Sequence, residues 1–576
     1  MFELPPADPQ WLSSRRRLQG RYIEVSEMPD ASRLGYLRGP LRRFTEDDFA
    51  AQWAAVVHDV NRPKHAQHSV YVHVPFCKSI CSFCNYERLR PSEPGLLDAW
   101  LERILGTLDV VAPVVQPLTF EALYIGGGTP STLPPRILSQ LLENLDSRLN
   151  WHPHSARAFE FDPAVMNAAK LDVLKRHGFT RFSFGIQTLD PTVNAAHNRG
   201  AQSVEMVAKR FEELRLAGIE EVAGDILLGL EGTTPASILA DIDTLLSRFR
   251  PRRLDVFMLT PTHDYVDAHF GGDFESFWAH LKPFQEQIPA ALRRTASRNR
   301  YVLREGQGHR FQLTRSEPGS GSKTSSPKGS YQGMTSERDR PVQILGLGPS
   351  ARSQLFGVAA MECRDPGASP GDSGPAWYQG HELDLGSEVQ SYLVHRLRDS
   401  DHVKRSTVRN LFGANLEELV PGALGGLIAE GLATLTDDAL ELVPQSRQER
   451  SQSLLWFVPE PHLEYELSRR MGLIRNRVEV EKLLGELVPG THLIDGIILQ
   501  SIRDDGRLIL DCVGYGLVRL RLAPPLDDQE RLRLVIEDAP PLNDSLRSSL
   551  RRAIARLRGW MAKRFELVKR SRVLNR

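Results

Sequence analysis

The sequence predicts an α/β protein whose core is a partial (β/α)6 barrel, followed by a winged-helix-like module and an additional α+β domain. Two observations lead to this prediction. Apolar strand-like segments alternate with helical segments from residue 69 onward, and glycine or polar residues stand where successive strands end. Strands that alternate with helices form parallel βα units, which gather functional groups at the carboxyl ends of the strands. We therefore expect the active site at that edge.

Six strands and five intervening helices are predicted in the core. The strands are short and apolar, and the helical segments repeat apolar residues every three or four positions. The predicted strands are residues 70–74, 122–125, 158–161, 182–186, 222–228 and 254–259. The predicted helices are residues 97–112, 136–149, 165–177, 204–216 and 238–249.

Composition shifts divide the chain into four regions. Residues 1–68 are a lead-in, and residues 69–365 are the barrel core. Within that core, residues 315–331 are so rich in Ser, Gly and Pro that they cannot bury apolar surface, which predicts a flexible insertion. Residues 385–450 read as the helical, winged module. Residues 475–576 form the additional α+β domain, with strands followed by a long amphipathic helix.

The composition indicates a cytoplasmic protein that uses neither nucleic acid nor a membrane span. The 576 residues include 72 Lys and Arg against 72 Asp and Glu, so net charge does not favour nucleic acid. Five cysteines, three of them clustered, do not resemble a disulfide framework. The first residues lack the pattern of a signal peptide, and no apolar run is long enough to cross a bilayer.

Three cysteines on one short segment are the most specific feature of the sequence. Cys77, Cys81 and Cys84 are separated by three and two residues and follow the first predicted strand. Three thiolates on such a loop can hold three irons of a [4Fe–4S] cluster and leave the fourth iron open to a substrate or cofactor. The alternative is a structural zinc site, which needs four ligands and could take His73 as the fourth. The spacing favours the cluster.

A glycine turn and polar residues follow the next predicted strands. Three consecutive glycines at 126–128 let the backbone approach a ligand closely. Glu160 and Gln187 stand at strand ends, Asp225 lies within an apolar strand, and Arg199 follows Gln187 along the chain. A carboxylate can accept hydrogen bonds from a ribose or an amine, and an arginine can pair with a carboxylate. Together these residues predict a cofactor pocket beside the cysteines.

In this order the motifs resemble those of the radical S-adenosylmethionine (radical SAM) superfamily, and within it the oxygen-independent coproporphyrinogen III oxidase-like branch. The likeness covers roughly residues 20–450. It implies a (β/α)6 partial barrel that binds a [4Fe–4S] cluster and S-adenosyl-L-methionine, with two molecules of the latter in some members. It also implies a 5′-deoxyadenosyl radical and an electron donor such as flavodoxin or ferredoxin.

The resemblance implies a role for each matching residue. The cluster ligands would be Cys77, Cys81 and Cys84. The cluster-bound S-adenosylmethionine would contact Tyr71, Gly127, Glu160 and the segment near Arg352. A second pocket would be lined by Phe83, Gly128, Thr129, Gln187, Arg199, Asp225 and Thr260.

The chain also departs from the porphyrin-forming members of this branch. Those oxidases continue after the third cysteine with Gly-Cys, whereas this chain has Asn85-Tyr86. We therefore expect an enzyme that uses a second S-adenosylmethionine for methyl or methylene transfer, or for cyclopropanation, on a small or carrier-bound substrate. Two alternatives stay open: oxidative decarboxylation of a porphyrinogen-like substrate, and a haem-binding carrier of the same branch.

Overall fold

A computed structural model describes most of the chain. It covers residues 8–24, 41–58, 66–316 and 341–471, apart from gaps at 87, 92–94, 201, 261, 307–309, 365–375, 444–445 and 469–470. It also covers residues 491–494, 497–502, 507–512, 516–523, 533–538 and 549–557. Most of the predicted insertion at 315–331 lies outside the described residues.

The chain forms two compact units. The first comprises Met1–Ser14 and Pro29–Pro459, and the second comprises Arg15–Met28 and Glu460–Arg576. The described part of the second unit contains an antiparallel five-stranded sheet and a helix at 549–557. Its strands are Thr491–Ile494, Ile497–Ile502, Leu508–Cys512, Gly516–Ala523 and Arg533–Asp538.

A sheet of thirteen strands dominates the first unit. In chain order its strands are β1 (Arg42–Thr45), β2 (Gln67–Val74), β3 (Phe120–Gly127), β4 (Trp151–Glu160), β5 (Arg181–Gln187), β6 (Glu221–Leu228), β7 (Arg253–Met258), β8 (Tyr301–Gly306), β9 (Arg310–Arg315), β10 (Val342–Leu347), β11 (Arg352–Leu355), β12 (Ala359–Cys363) and β13 (Trp377–Glu382). Strands β2 to β7 lie side by side and parallel, with β10 parallel to β2. Antiparallel strands extend both flanks, so the described sheet does not close into a barrel.

Helices follow the parallel strands and bury one face of the sheet. The helices of the barrel region are Glu46–His58, Leu96–Val115, Pro135–Arg148, Ala168–Arg176, Pro191–Ala196, Val204–Leu216, Pro235–Thr244, His263–Phe270 and Phe274–Arg298. Their starts are fixed locally: Asn167 and Asp190 cap two of them, and Thr234 forms a capping box with Ser237. Apolar side chains from strands and helices share one continuous core.

The other face of the parallel strands is polar. Along β5 and β6, residues alternate strictly between buried and partly accessible, as expected when one face packs on helices and the other does not. The accessible positions include Arg181, Ser183, Glu221 and Asp225. We call the space on this inner side of β2–β7 and β9 the lumen. Because parallel strands run in register, their carboxyl ends form one rim, where Val74 pairs with Gly127.

The fold class predicted from the sequence is confirmed: the protein is α/β, with six consecutive parallel strands in a partial barrel. The sequence analysis placed residues 42–58 in a lead-in, but β1 pairs with β13 and the helix Glu46–His58 buries Phe49 and Trp53 in the main core. β1 gave no strand signal in the sequence, because it has only four residues and one inward side chain.

Residues 385–442 contain four helices and a small antiparallel sheet. The helices are Leu385–Asp399, Arg405–Phe412, Leu416–Leu419 and Pro421–Ala429, and the strands are His402–Lys404, Ala433–Leu435 and Ala439–Leu442. This arrangement has the helices and hairpin that a winged-helix-like module needs. Among the described residues, no helix is both long enough and apolar enough to cross a membrane.

The first testable prediction concerns Gly348, which follows β10 with a φ of +94°. A Cβ there would lie 2.6 Å from the His73 carbonyl oxygen, whereas a Cβ at Gly357, also at positive φ, would meet nothing within 4 Å. Gly357→Ala should cost about 1–2 kcal/mol of unfolding free energy from backbone strain alone. Gly348→Ala should cost about 1–3 kcal/mol more because of the added contact. Denaturant unfolding of both variants measures the difference, and equal losses would contradict the steric argument.

Candidate active site

The three cysteines lie on a loop that turns back onto the end of β2. Leu89 N–H donates to the Pro75 carbonyl at 2.7 Å, and Cys77 N–H donates to the Leu89 carbonyl at 2.9 Å. A turn brings Cys84 N–H to the Cys81 carbonyl at 3.2 Å. All three thiols are free. The loop therefore presents three thiols without a disulfide, which is the donor set of a [4Fe–4S] cluster with one open iron.

Two side chains from other loops contact these thiols. Thr129 Oγ1 donates to Cys77 Sγ at 3.4 Å, and Arg199 Nη1 donates to Cys81 Sγ at 3.7 Å. Burial raises the pKa of both thiols, while the Thr129 hydrogen bond and the Arg199 charge act in the opposite direction. Cluster ligands must be thiolates, so a cation beside Cys81 favours the ligating form.

The glycine turn is required by close contacts with this loop. Gly128 N–H donates to the Val74 carbonyl at 2.8 Å, and a Cβ at Gly128 would lie 2.9 Å from Cys77 Sγ. Gly127 has a φ of +117°, and a Cβ there would lie 2.9 Å from the His73 ring. No larger residue fits either position without displacing the cysteine loop or the end of β2. The residues present therefore fit a cluster site: three free thiols in a cradle that only glycine allows.

Glu160 stands beside the same turn. Its Oε1 accepts a short hydrogen bond from the Tyr124 hydroxyl, and its Oε2 accepts one from Gly127 N–H at 3.2 Å. Burial raises the pKa of this carboxyl, and the two hydrogen bonds oppose that shift. Each carboxylate oxygen retains a second lone pair, so Glu160 can still accept from a ligand amine or hydroxyl. Tyr71 lies one strand away, with its hydroxyl 3.0 Å from His73 Nδ1.

Gln187 and Arg199 converge on Gly185. Arg199 Nη2 donates to the Gly185 carbonyl, and a Cβ on Gly185 would lie 2.5 Å from Gln187 Nε2 and 2.9 Å from Arg199 Nη2. Gln187 itself has a φ of +67°, a strained conformation for a side-chain-bearing residue. The structure thus brings Gln187, Arg199 and Cys81 together at the rim.

Asp225 lies opposite Gly185 in the adjacent strand and next to Asp255 of β7. Asp255 is satisfied, because Arg253 Nε lies 2.7 Å from Oδ2 and Gln312 Nε2 donates to Oδ1 at 3.1 Å. The structure records no hydrogen bond to the Asp225 carboxyl among the described residues. Burial in the lumen, then the charges of Asp255 and Glu160, raise its pKa to about 8. At neutral pH this carboxyl is mostly protonated and can donate a hydrogen bond to a ligand.

The remaining predicted residues are less closely connected. Phe83 is half-buried, and its ring centroid lies 6.1 Å from that of His197. Thr260 is exposed just beyond β7, and no described hydrogen bond joins it to the other predicted residues. Arg352 is exposed on β11, where its Nε lies 3.1 Å from Glu362 Oε2. The roles assigned to these three residues stay predictions.

The sequence analysis missed an anchor that holds the cysteine loop from behind. Ser82 Oγ lies 2.9 Å from both His197 Nδ1 and His269 Nε2, and His197 Nε2 lies 3.0 Å from the Glu231 carbonyl. A carbonyl only accepts, so His197 Nε2 carries a proton and its Nδ1 accepts from Ser82. Ser82 then accepts from His269 Nε2–H. The carboxylate of Glu231 and the two histidines lie close enough to hold a metal ion, but these hydrogen bonds already engage both ring nitrogens of His197 and Nε2 of His269.

Tyr86 was named only as a departure, yet it belongs to the site. The surface of Tyr86 is 63% exposed. The protein nearby still raises the pKa of its phenol to about 12, through burial and then through the charges of Glu160 and Asp225. Accessible surface beside those lumen carboxylates indicates that the phenol borders the lumen. Its position two residues after Cys84 was the sequence signal that could have identified it.

A second prediction concerns the cluster. Replacing Cys77, Cys81 and Cys84 by Ala should abolish iron binding, because each supplies one thiolate. Replacing Cys363 or Cys512, which are buried in strands of two other sheet regions, should leave about four irons per chain. Iron analysis and visible absorption after anaerobic reconstitution measure the outcome. A triple variant that kept its iron would contradict the assignment.

A third prediction follows from Asp225. Its ordinary pKa is 3.8 and its folded pKa is about 8, so the folded protein holds a proton that the unfolded chain releases. Unfolding free energy should therefore fall as pH rises from about 4 to about 8, by up to about 1.4 kcal/mol per pH unit. Asp225→Asn should remove this slope, and Asp172→Asn on an exposed helix position should not. Denaturant unfolding across pH tests it, and parallel profiles for wild type and Asp225→Asn would contradict it.

Comparison with known proteins agrees with this geometry. The radical SAM superfamily profile matches residues 71–245. The oxygen-independent coproporphyrinogen III oxidase of Pseudomonas aeruginosa is 26% identical over 414 residues, which span 68% of this chain and 86% of that protein. The haem chaperone HemW of Bacillus subtilis is 25% identical over 395 residues, 66% of this chain and 96% of that protein.

A solved structure shares the fold. Coproporphyrinogen III oxidase (HemN) from Escherichia coli superimposes with a TM-score of 0.56 at 20% identity, covering 72% of this chain and 93% of that one. The superfamily's cofactors are a [4Fe–4S] cluster and S-adenosyl-L-methionine, and the thiols and glycine cradle described above fit the cluster. Residues 71–245 are thus a radical SAM domain, and the chain is similar, over most of their length, to oxygen-independent coproporphyrinogen III oxidases and to HemW.

Proposed function

We propose that this radical SAM enzyme oxidatively decarboxylates a carboxylate side chain of a porphyrinogen-like tetrapyrrole. The observation that carries the proposal is the extent of the likeness. It spans 86% of the P. aeruginosa oxidase and 93% of the E. coli enzyme, so it includes the region beyond the cluster loop. A lumen lined by arginines and carboxylates also suits a substrate that carries several carboxylates.

In this proposal each group of site residues has a separate role. Cys77, Cys81 and Cys84 would hold the cluster, which with S-adenosylmethionine supplies a 5′-deoxyadenosyl radical. Glu160 and the Gly127 backbone would orient the cofactor beside the cluster loop. Asp225, protonated at neutral pH, would donate a hydrogen bond to a bound carboxylate or to a second cofactor molecule. The pocket predicted for that molecule is the set Phe83, Gly128, Thr129, Gln187, Arg199, Asp225 and Thr260.

The net change in the substrate balances simply. A propionate side chain loses carbon dioxide, one proton and two electrons and becomes a vinyl group. One proton and one electron would leave together as a hydrogen atom. The second electron requires an acceptor, and radical formation requires a donor such as flavodoxin or ferredoxin. Arg199 and Arg310, at the rim and on β9, supply positive charge near the lumen carboxylates.

Haem binding without catalysis is the second candidate. It is favoured by the match to HemW over 96% of that protein, and by Asn85-Tyr86 in place of the Gly-Cys of the oxidases. An accessible phenol at the lumen could contact the face of a bound tetrapyrrole or approach its iron. The one-carbon transfer expected from the sequence departures finds no support among these relatives, and we retain it only as an outcome of the test below.

The deciding experiment is anaerobic reconstitution followed by incubation with coproporphyrinogen III, S-adenosylmethionine and a reductant. Formation of 5′-deoxyadenosine together with carbon dioxide and a vinyl product is the expected result. Stoichiometric haem binding with no consumption of S-adenosylmethionine would replace the proposal by the carrier function. Formation of S-adenosylhomocysteine with a methylated product would replace it by one-carbon transfer.

A fourth prediction tests the cofactor pocket. In Glu160→Gln the amide nitrogen can no longer accept from Gly127 N–H or pair with a ligand amine. Loss of one charge-assisted hydrogen bond should weaken S-adenosylmethionine binding by about ten- to a hundredfold, which corresponds to about 1.5–3 kcal/mol. Equilibrium binding to the reconstituted protein measures it, with Glu102→Gln on an exposed helix position as the control. Unchanged affinity with an intact cluster would place the pocket elsewhere.

A further inference from the structure

A small cavity lies at the end of the lumen opposite the cluster loop. It is lined by Tyr124, Ala158, Arg181, Phe182, Ser183, Glu221, Val222, Ala223, Arg252 and Arg253. Arg181, Glu221 and Arg253 are the first residues of β5, β6 and β7. Along β5, Arg181 and Gln187 are six residues apart, which corresponds to about 20 Å. The cavity is therefore separate from the rim where the cysteines lie.

Arg181 is the unusual member of this group. Its side chain is only 15% exposed, and its nearest described carboxylate oxygen, on Glu221, is 3.9 Å away. The structure records no hydrogen bond from its guanidinium to any described residue. Burial is the main reason that the pKa of Arg181 is lowered to about 10; the charge of Glu221 opposes this shift, and the charges of Arg253 and Arg252 add to it. A largely buried guanidinium still offers five N–H donors, and the part of it that faces the lumen stays open to an acceptor.

The neighbouring carboxylates are engaged elsewhere. Asp255 is 2% exposed and pairs with Arg253, while Glu221 lies closer to Arg252, at 3.3 Å, than to Arg181. The cavity is lined by three guanidinium groups, from Arg181, Arg252 and Arg253, and by one carboxylate, from Glu221. Asp255 lies beside the cavity, and its negative charge compensates that of Arg253. The walls therefore keep an excess of one positive charge next to Arg181, which is largely buried and has no hydrogen-bonding acceptor among the described residues.

The size of the cavity limits what can enter. It offers about 40 Å³ of space to solvent, which is a few water molecules or one small oxyanion and far less than a tetrapyrrole. The hydroxyls of Ser183 and Tyr124 add polar groups to the walls, and these two hydroxyls are hydrogen-bonded to each other. A planar guanidinium matches the two oxygens of a carboxylate or phosphate. The charge, shape and volume of the cavity therefore all favour a small oxyanion.

We infer that this cavity is an oxyanion site, in which Arg181 binds a single carboxylate or phosphate group with Arg253 and Ser183 beside it. The inference does not rest on the proposed reaction, because the cavity lies at the opposite ends of the strands from the cluster. It extends the description of the lumen: one end holds the radical chemistry, and the other holds a fixed anion. Tyr124 connects the two ends, since it lines the cavity and donates to Glu160.

Calorimetric titration of the reconstituted full-length protein with inorganic phosphate, and separately with propionate, tests the site. Both anions present the required oxygens, and whichever binds more tightly identifies the source as a free phosphate or the carboxylate arm of an organic ligand. We expect saturable binding of at least one, a dissociation constant raised at least tenfold in Arg181→Gln, and a smaller rise in Arg181→Lys, which keeps the charge but loses the planar fork.

The matched control is Arg176→Gln, an exposed arginine on the preceding helix, which should bind the anion as the wild type does. Cluster content and S-adenosylmethionine binding should be retained in Arg181→Lys, which separates this inference from the proposed function. Absence of saturable binding of either anion to the wild type would overturn the site. Wild-type affinity in both Arg181 variants would overturn its location, and if Arg181→Gln fails to fold, Arg181→Lys alone decides.

Discussion

The close approach between the glycine turn and the cysteine loop is the constraint on which the rest of the site depends. Gly128 lies so near Cys77 that a single methyl group would contact the sulfur, and Gly127 is equally close to the His73 ring. Because β2 and β3 are hydrogen-bonded in register up to Val74 and Gly127, their end loops can meet only in this way. The cluster loop is therefore positioned by the sheet, with the glycines permitting the contact.

Polar groups on the inner face of the sheet lose contact with water, and only some of them gain hydrogen-bond partners in the protein. Asp255 is paired and hydrogen-bonded, and Glu160 accepts two hydrogen bonds, so both are satisfied in the absence of a ligand. Asp225 and Arg181 are not satisfied by described neighbours, and the shifts in their pKa values have burial as the first cause. Natural proteins place such groups where a ligand supplies the missing partner. The two groups stand at different depths of one lumen, at the two positions for which we propose ligands.

The sequence predicted the elements whose signals are local. Five of the six strands were found within about three residues, because alternation and helical periodicity are read over short windows. Strand β4 was predicted at 158–161 but begins at Trp151, because its first half carries polar and histidine residues. The cysteine spacing and the three glycines are local as well. The sequence did not reveal the Ser82–His197–His269 anchor, whose members are 115 and 187 residues from Ser82. Nor could it show that Arg181 lacks a close acceptor, since its neighbours come from β6 and β7 and their pairing follows from strand register.

Tyr86 shows how one loop position can carry a different side chain while the scaffold that holds it is kept. The loop remains fixed by its backbone bonds to Leu89 and by the Ser82 anchor, so the position after Cys84 is held whatever residue occupies it. The thiol that the porphyrin-forming oxidases place there can donate a hydrogen atom or ligate a metal. A phenol at that position is longer than a thiol. Burial, then the charges of Glu160 and Asp225, raise its pKa to about 12, so it stays protonated. It can donate a hydrogen bond to a carboxylate or stack on a planar ring, but it cannot serve as a thiolate. Beside the cysteine loop this chain therefore offers a neutral aromatic hydrogen-bond donor where the porphyrin-forming oxidases have a thiol.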